Sequence, residues 1–200
     1  MRRRLLPIFL VTSSAVLVAA ACSTPGNPSA NDPTSDQGTA STTADQSLPK
    51  RPKSFSAKSI DPCKLLTKEQ QQRLGLDREP SMNTEGTDKH GNYGCSYLRS
   101  RSKPSFSYLA VPVPQEGADE WLKGTRAVEV KHVTVAGFGA VTTQLGESDR
   151  SCNTVVDIAD GESLDIQFTG VTKGAFTHEQ LCEKSNEFAE LAMQNLMKQG

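Results

Sequence analysis

Five cysteines set the terms for this chain, and one of them stands apart. Cys22 closes a run that begins with Arg2, Arg3 and Arg4, continues as an apolar stretch from Leu5 to Val18, and ends in Ala19-Ala20-Ala21-Cys22. A basic flank, a short apolar core and small residues before a cut make a secretory signal; a membrane span needs about 20 apolar residues. Export carries the rest of the chain into an oxidising compartment, where Cys63, Cys95, Cys152 and Cys182 pair by default. Three connectivities exist for four cysteines. Cys63–Cys95 with Cys152–Cys182 is the expected one, because each bridge closes a loop of about thirty residues inside one half of the chain. Each contributes on the order of 3–4 kcal/mol through loop entropy. A four-cysteine metal site calls for CxxC pairs, and the chain has none.

Cys22 is the expected lipidation site. Small side chains before it admit extended backbone to a peptidase, and its thiol can carry a diacylglycerol of palmitate-type chains, each methylene burying roughly 0.8 kcal/mol in the bilayer. The run departs from the usual lipobox in one place: Ala19 stands where a branched apolar residue is common. The expected organisation is a signal peptide over 1–21, a lipidated N-terminus and disordered Ser/Thr/Pro-rich linker over 22–57, and one domain over 58–200. The linker has almost no apolar residue, so it cannot offset its ordering entropy. The expected location is the extracytoplasmic face of the cell membrane, held by lipid. A net charge of −1 without a basic, aromatic-rich patch argues against nucleic acid as a partner.

The folding part opens with Asp61-Pro62, a helix start with proline at the first position, and Thr67-Lys-Glu-Gln70, a capping box. Together they predict a short helical hairpin or one bent helix over 61–74, with Cys63, Leu65, Leu66 and Leu74 inward. Residues 77–92 read as loop. Strands follow over 93–100 and 105–113, joined at Arg101-Ser-Lys-Pro104, with Pro112 and Pro114 marking an edge or an end. A short helix over 118–122 carries Trp121, the only tryptophan. Val128, Val130 and His132 alternate with charged residues, and Val135-Ala-Gly137-Phe-Gly139 turns into a further strand. Two extended runs flank Asp160-Gly161, a strong hairpin signal, with Leu164, Ile166 and Phe168 toward the core and Asp165 and Gln167 toward water. A second capping box, Thr177-His-Glu-Gln180, opens the longest helix, whose apolar stripe includes Leu181, Phe188, Ala192 and Leu196. Strands bracketed by helices, without βαβ alternation, predict an α+β fold: an antiparallel sheet packed by a long C-terminal helix and a short N-terminal helix, with two disulfides.

Asp61-Pro62-Cys63-Lys-Leu65-Leu66 resembles the Asp-Pro-Cys-x-Leu-Leu opening of actinobacterial lipoproteins grouped as domain of unknown function 3558. Cys95-Ser-Tyr97, Val135-Ala-Gly137-Phe-Gly139, Cys152 and Cys182 match that family's later landmarks in order, so the resemblance covers nearly the whole chain from Cys22 on. It departs at Tyr97, where tryptophan is usual, and at Ala140, where aspartate is frequent; whatever that acid does in relatives is lacking here. The resemblance implies an envelope lipoprotein without an assigned activity.

Catalytic motifs are sparse. His178-Glu179-Gln-Leu-Cys182 superficially matches a zinc-binding helix, but its second ligand is Cys182, which the expected disulfide uses. Pairs such as Asp157 with Asp160, or Asp165 with Glu162, flank a hairpin and suit turn chemistry. No nucleophile elbow, phosphate loop or dinucleotide fingerprint is present, and neither a cofactor nor a metal is expected. Trp121, beside Pro112 and Pro114, is the candidate floor of a ligand groove. The favoured function is a non-catalytic binding or accessory domain for a cell-wall polymer, lipid or envelope protein. The alternative is an extracytoplasmic enzyme acting on cell-wall material, which needs a nucleophile or acid paired with His90, near Asp88 in a glycine-bearing loop, or with a buried aspartate; His90 in a cleft within hydrogen-bond reach of a carboxylate promotes it.

Overall fold

The computed structural model describes residues 47–146 and 149–199. The signal peptide, Cys22 and the linker up to residue 46 lie outside the described residues. Seven strands form one antiparallel sheet: β1 (Ser81–Met82), β2 (Cys95–Arg99), β3 (Phe106–Val113), β4 (Glu129–Val135), β5 (Phe138–Gln144), β6 (Ser151–Ala159) and β7 (Glu162–Gly170), in the order β1-β2-β3-β7-β6-β5-β4. Among the described residues, two α-helices, α1 (Lys68–Arg73) and α2 (His178–Gln199), and 3-10 turns at Ala57–Ser59, Pro62–Lys64 and Ala118–Lys123 complete it. The fold is the α+β arrangement expected, and both disulfides, Cys63–Cys95 and Cys152–Cys182, pair as expected.

Local chemistry explains most boundaries. Asp61 caps the Pro62 turn by accepting from Cys63 N at 3.0 Å. Thr67 and Gln70 form a complete capping box on α1, and Thr177 and Gln180 do the same for α2 at 2.9 and 3.2 Å. The expected hairpin over 61–74 is two short pieces, a 3-10 turn and α1, because each carries its own cap. Asp160-Gly161 joins β6 to β7, with Gly161 at φ 71°, where glycine pays no Cβ penalty.

One sheet face is packed by α2. Leu164, Ile166 and Phe168 of β7, Tyr97 of β2, Tyr108 of β3 and Phe138 of β5 meet Phe188, Ala189, Ala192 and Met193 of the helix. Ser185 falls in this apolar stripe because its hydroxyl meets the buried Thr154 hydroxyl. Tyr97 donates to Pro62 O at 2.7 Å, so its hydroxyl is satisfied at the Asp-Pro-Cys opening, and its ring stands edge-on to Phe188.

Two expectations change, and of the two readings of Pro112 and Pro114 the strand end holds. Strand β3 is not an edge: it lies between β2 and β7. Its register with β2 ends at Ala110, so Pro112 sits where that side is already open, and the strand stops at Val113. The region 77–92 is not all loop, since Ser81–Met82 pairs with β2. Residues 48–57, assigned to the linker by composition, lie on the sheet. Phe55 N donates to Ile158 O at 2.8 Å, and Arg51 Nη1 reaches both oxygens of Asp157 at 2.7 and 2.6 Å. This strap accounts for Gly139, where a Cβ would stand 2.8 Å from Pro49 Cδ and 2.9 Å from Leu48 Cβ.

Candidate functional site

The second face of the sheet is where chemistry gathers. Alternation turns Ser163 and Asp165 of β7, Asn153 and Val155 of β6, and Val113 of β3 away from α2. Above them lie the loop carrying Thr87–His90 and the connector from β3 to β4, with Glu116, Trp121 and Arg126. The result is a cleft of about 260 Å³. Trp121 also packs, with Leu48, Leu122 and Val130, on a small cluster of Ala118, Val141 and Val155, so the strap and the cleft share a wall.

Two carboxylates here organise the covering segments. Asp88 accepts from His90 N at 3.0 Å, Asn92 N at 2.9 Å and Asn92 Nδ2 at 2.7 Å, which closes the loop on itself. Burial pushes this carboxyl up, and the donors together hold it below its usual range. Glu116 joins the loop to the connector. It pairs with Lys89, with Arg126 Nη2 at 2.7 Å and with His90 Nε2 at 3.4 Å. Burial works against its ionisation too, but Lys89 and Arg126 outweigh it and hold the carboxyl low. Asn92 and Gln115 exchange amide hydrogen bonds at 2.9 and 3.2 Å, and Ser163 Oγ donates to Glu116 O at 2.7 Å. The Arg126 guanidinium lies 3.8 Å from the centre of the Trp121 ring, a cation–π stack.

Asp165 differs from both. The residue stays partly open to the cleft, yet protein atoms surround its carboxyl, and burial pushes it up to about 7. Asn153 Nδ2, 3.1 Å from both oxygens, opposes this only in part, and the charges of Asp88 and Glu116 add to the rise. The expectation that Asp165 faces water is corrected: its strand face is right, but other segments cover that face.

Trp121, His90 and Asp88 are therefore brought together in one cleft, although His90 and Trp121 lie 31 positions apart in sequence. Glu116, Arg126, Asn153 and Asp165 were not legible as site residues. The one signal available was an acid in mid-strand, at Asp165, rather than at the hairpin tip. His132 is exposed on β4, and His178 lies 4.0 Å from Glu129. Cys182 is consumed by its disulfide, which removes the second ligand of the zinc-helix pattern. Among the described residues no group of three or more His, Cys, Asp or Glu is placed to hold a metal, and no helix is long and apolar enough to cross a membrane.

Comparison with known families matches residues 17–195 to a model described as protein of unknown function (DUF3558). The chain belongs to the DUF3558 family. The matched span takes in Cys22 and both cysteine pairs, so the landmarks of the family resemblance are parts of one matched unit. No curated protein and no solved structure matches the chain.

Proposed function

We propose that this DUF3558 protein is a cell-envelope lipoprotein, anchored through Cys22, whose single domain binds a ligand in the Trp121 cleft without transforming it. The tether rests on the sequence around Cys22. The binding reading rests on one observation: the cleft's ionic groups are mostly committed to each other. Glu116 is held as an anion by Lys89 and Arg126, and Asp88 by its own loop, so neither is a free base. Ser163, the one serine lining the cleft, donates to a backbone carbonyl and has no histidine as partner. Such a set presents a fixed polar lining beside the apolar Val113, Val155 and Trp121, the usual make-up of a binding pocket.

A second reading has its own support. His90 meets Glu116 in the cleft, and Asp165, at about 7, has the value a general acid needs near neutrality. The envelope enzyme this describes would use Asp165 on cell-wall material. The two readings separate by incubating the soluble domain with fractionated envelope digest and following both Trp121 fluorescence and the masses of the added fragments. Binding gives a saturable fluorescence change with masses unaltered; fragments returned shortened support the enzyme. The tether is checked separately, by mass spectrometry of the membrane-extracted protein for an acylated N-terminal Cys22.

A further inference from the structure

We propose that the cleft takes its ligand through a primary ammonium group that pairs with the Asp165 carboxylate. This names the ligand class of the cleft and rests on reading it as a binding site. Three carboxyl groups line the cleft, and two are filled. Asp88 accepts from three nitrogens, and Glu116 is surrounded by Lys89, Arg126 and His90. Asp165 has a single hydrogen-bonding partner among the described residues, one nitrogen of Asn153 spread across both oxygens. An ionised carboxylate offers roughly four acceptor positions, and an ammonium brings three donors to them.

Charge points the same way. The lining holds Asp88, Glu116 and Asp165 against Lys89 and Arg126, three anions to two cations, or −1 with His90 neutral. One monovalent cation balances the cleft. Without it, a surrounded carboxylate takes up a proton instead, which accords with the upward shift of Asp165 to about 7. The charged and titratable groups that share the cleft lining with Asp165 are Asp88, Lys89 and His90 from the loop, and Glu116 and Arg126 from the connector; of these, the charges of Asp88, Glu116 and Arg126 act on it. Its neighbours on the flanking strands are Val111 on β3 and Val155 on β6, both uncharged, with Asn153 alongside. A cleft of about 260 Å³ holds several waters and has room for one sugar ring or one amino-acid side chain. Amino sugars and lysine-like side chains share the required ammonium.

The test uses Trp121, the only tryptophan, as reporter. The folded domain with both disulfides intact is titrated with glucosamine and with Nα-acetyl-lysine amide. The controls are N-acetylglucosamine and the Nα,Nε-diacetyl-lysine amide, which lack the charge. The expected result is saturable binding of one or both amines, at least tenfold weaker binding of the acetylated counterpart, and loss of the amine response in Asp165→Asn. A pH series uses the lysyl probe, whose ammonium stays charged across it. Its affinity falls toward tenfold per unit below about pH 7, as the proton competes for Asp165; any pH dependence left in Asp165→Asn belongs to other groups. If that variant fails to fold, the comparison of each amine with its acetylated counterpart decides, together with the wild-type pH series. Equal binding of the acetylated controls, an unchanged response in Asp165→Asn, or a flat wild-type series overturns the ammonium assignment. If the cleft instead answers neutral or anionic envelope fragments and ignores amines, the binding reading stands and the ammonium falls. Silence toward all of them overturns both.

Discussion

Asp165 places an ionisable group where the fold gives it little water and one neutral partner. Its carboxyl is raised from the ordinary value to about 7, so the folded chain holds a proton that the unfolded chain has released between about pH 4 and pH 7. Stability from this residue is therefore greatest at low pH and declines as pH rises through that window. The full span amounts to at most about 4 kcal/mol, less because the residue keeps some contact with the cleft. Denaturant unfolding at pH 5 and pH 8 checks it: Asp165→Asn should gain on the wild type at the higher pH and lose that advantage at the lower. Glu116 bends the curve the other way. Its carboxyl is held low, so its contribution is present above about pH 4 and is lost as pH falls through the depressed value. Strand alternation alone identifies the face Asp165 occupies. What the sequence could not disclose is that residues 87–90 and 116–126 fold over that face, because no local pattern encodes a contact between segments so far apart.

At the scale of elements, each covering segment hangs on few contacts. The loop around Asp88 reaches the connector through Lys89, His90 and Asn92, and two of these three end on Glu116. Glu116→Gln should raise amide hydrogen exchange at residues 83–94 while leaving α2 protected; unchanged exchange in the loop contradicts the latch. The strap depends on a different fit. A methyl at Gly139 collides with Leu48 and Pro49, so Gly139→Ala should cost about 1–3 kcal/mol and expose residues 48–57 to limited proteolysis. The same contact gives one glycine of the Val-x-Gly-x-Gly segment a physical reason. Caps and the Asp160-Gly161 turn were readable because their partners lie three residues apart or fewer. The strap was not, since a Ser-, Pro- and Lys-bearing stretch has the composition of a linker, and its anchors, Asp157 and Ile158, are about a hundred residues away. The interior position of β3 escaped for a related reason: the open side at Pro112 exists because β2 is short.

Across the whole molecule, the two disulfides fasten what packs on the sheet. Cys63–Cys95 ties the N-terminal helical segment to β2, and Cys152–Cys182 ties α2 to β6. Replacing Cys152 and Cys182 together by alanine should lower unfolding stability by roughly 3 kcal/mol, read from the denaturant midpoint. Cys22→Ser should move the protein out of the membrane fraction, because the proposed anchor is the lipid carried by the Cys22 thiol. On the proposed reading, a DUF3558 domain binds a ligand in the Trp121 cleft and releases it unchanged. Amide chemical-shift mapping of the folded domain during addition of fractionated envelope digest is the experiment to do. Saturable shifts confined to residues 87–90, 113–126 and 153–165 are expected, with the recovered fragments unchanged in mass. Shifts centred on α2 or the β4 edge, or fragments recovered cleaved, would contradict it.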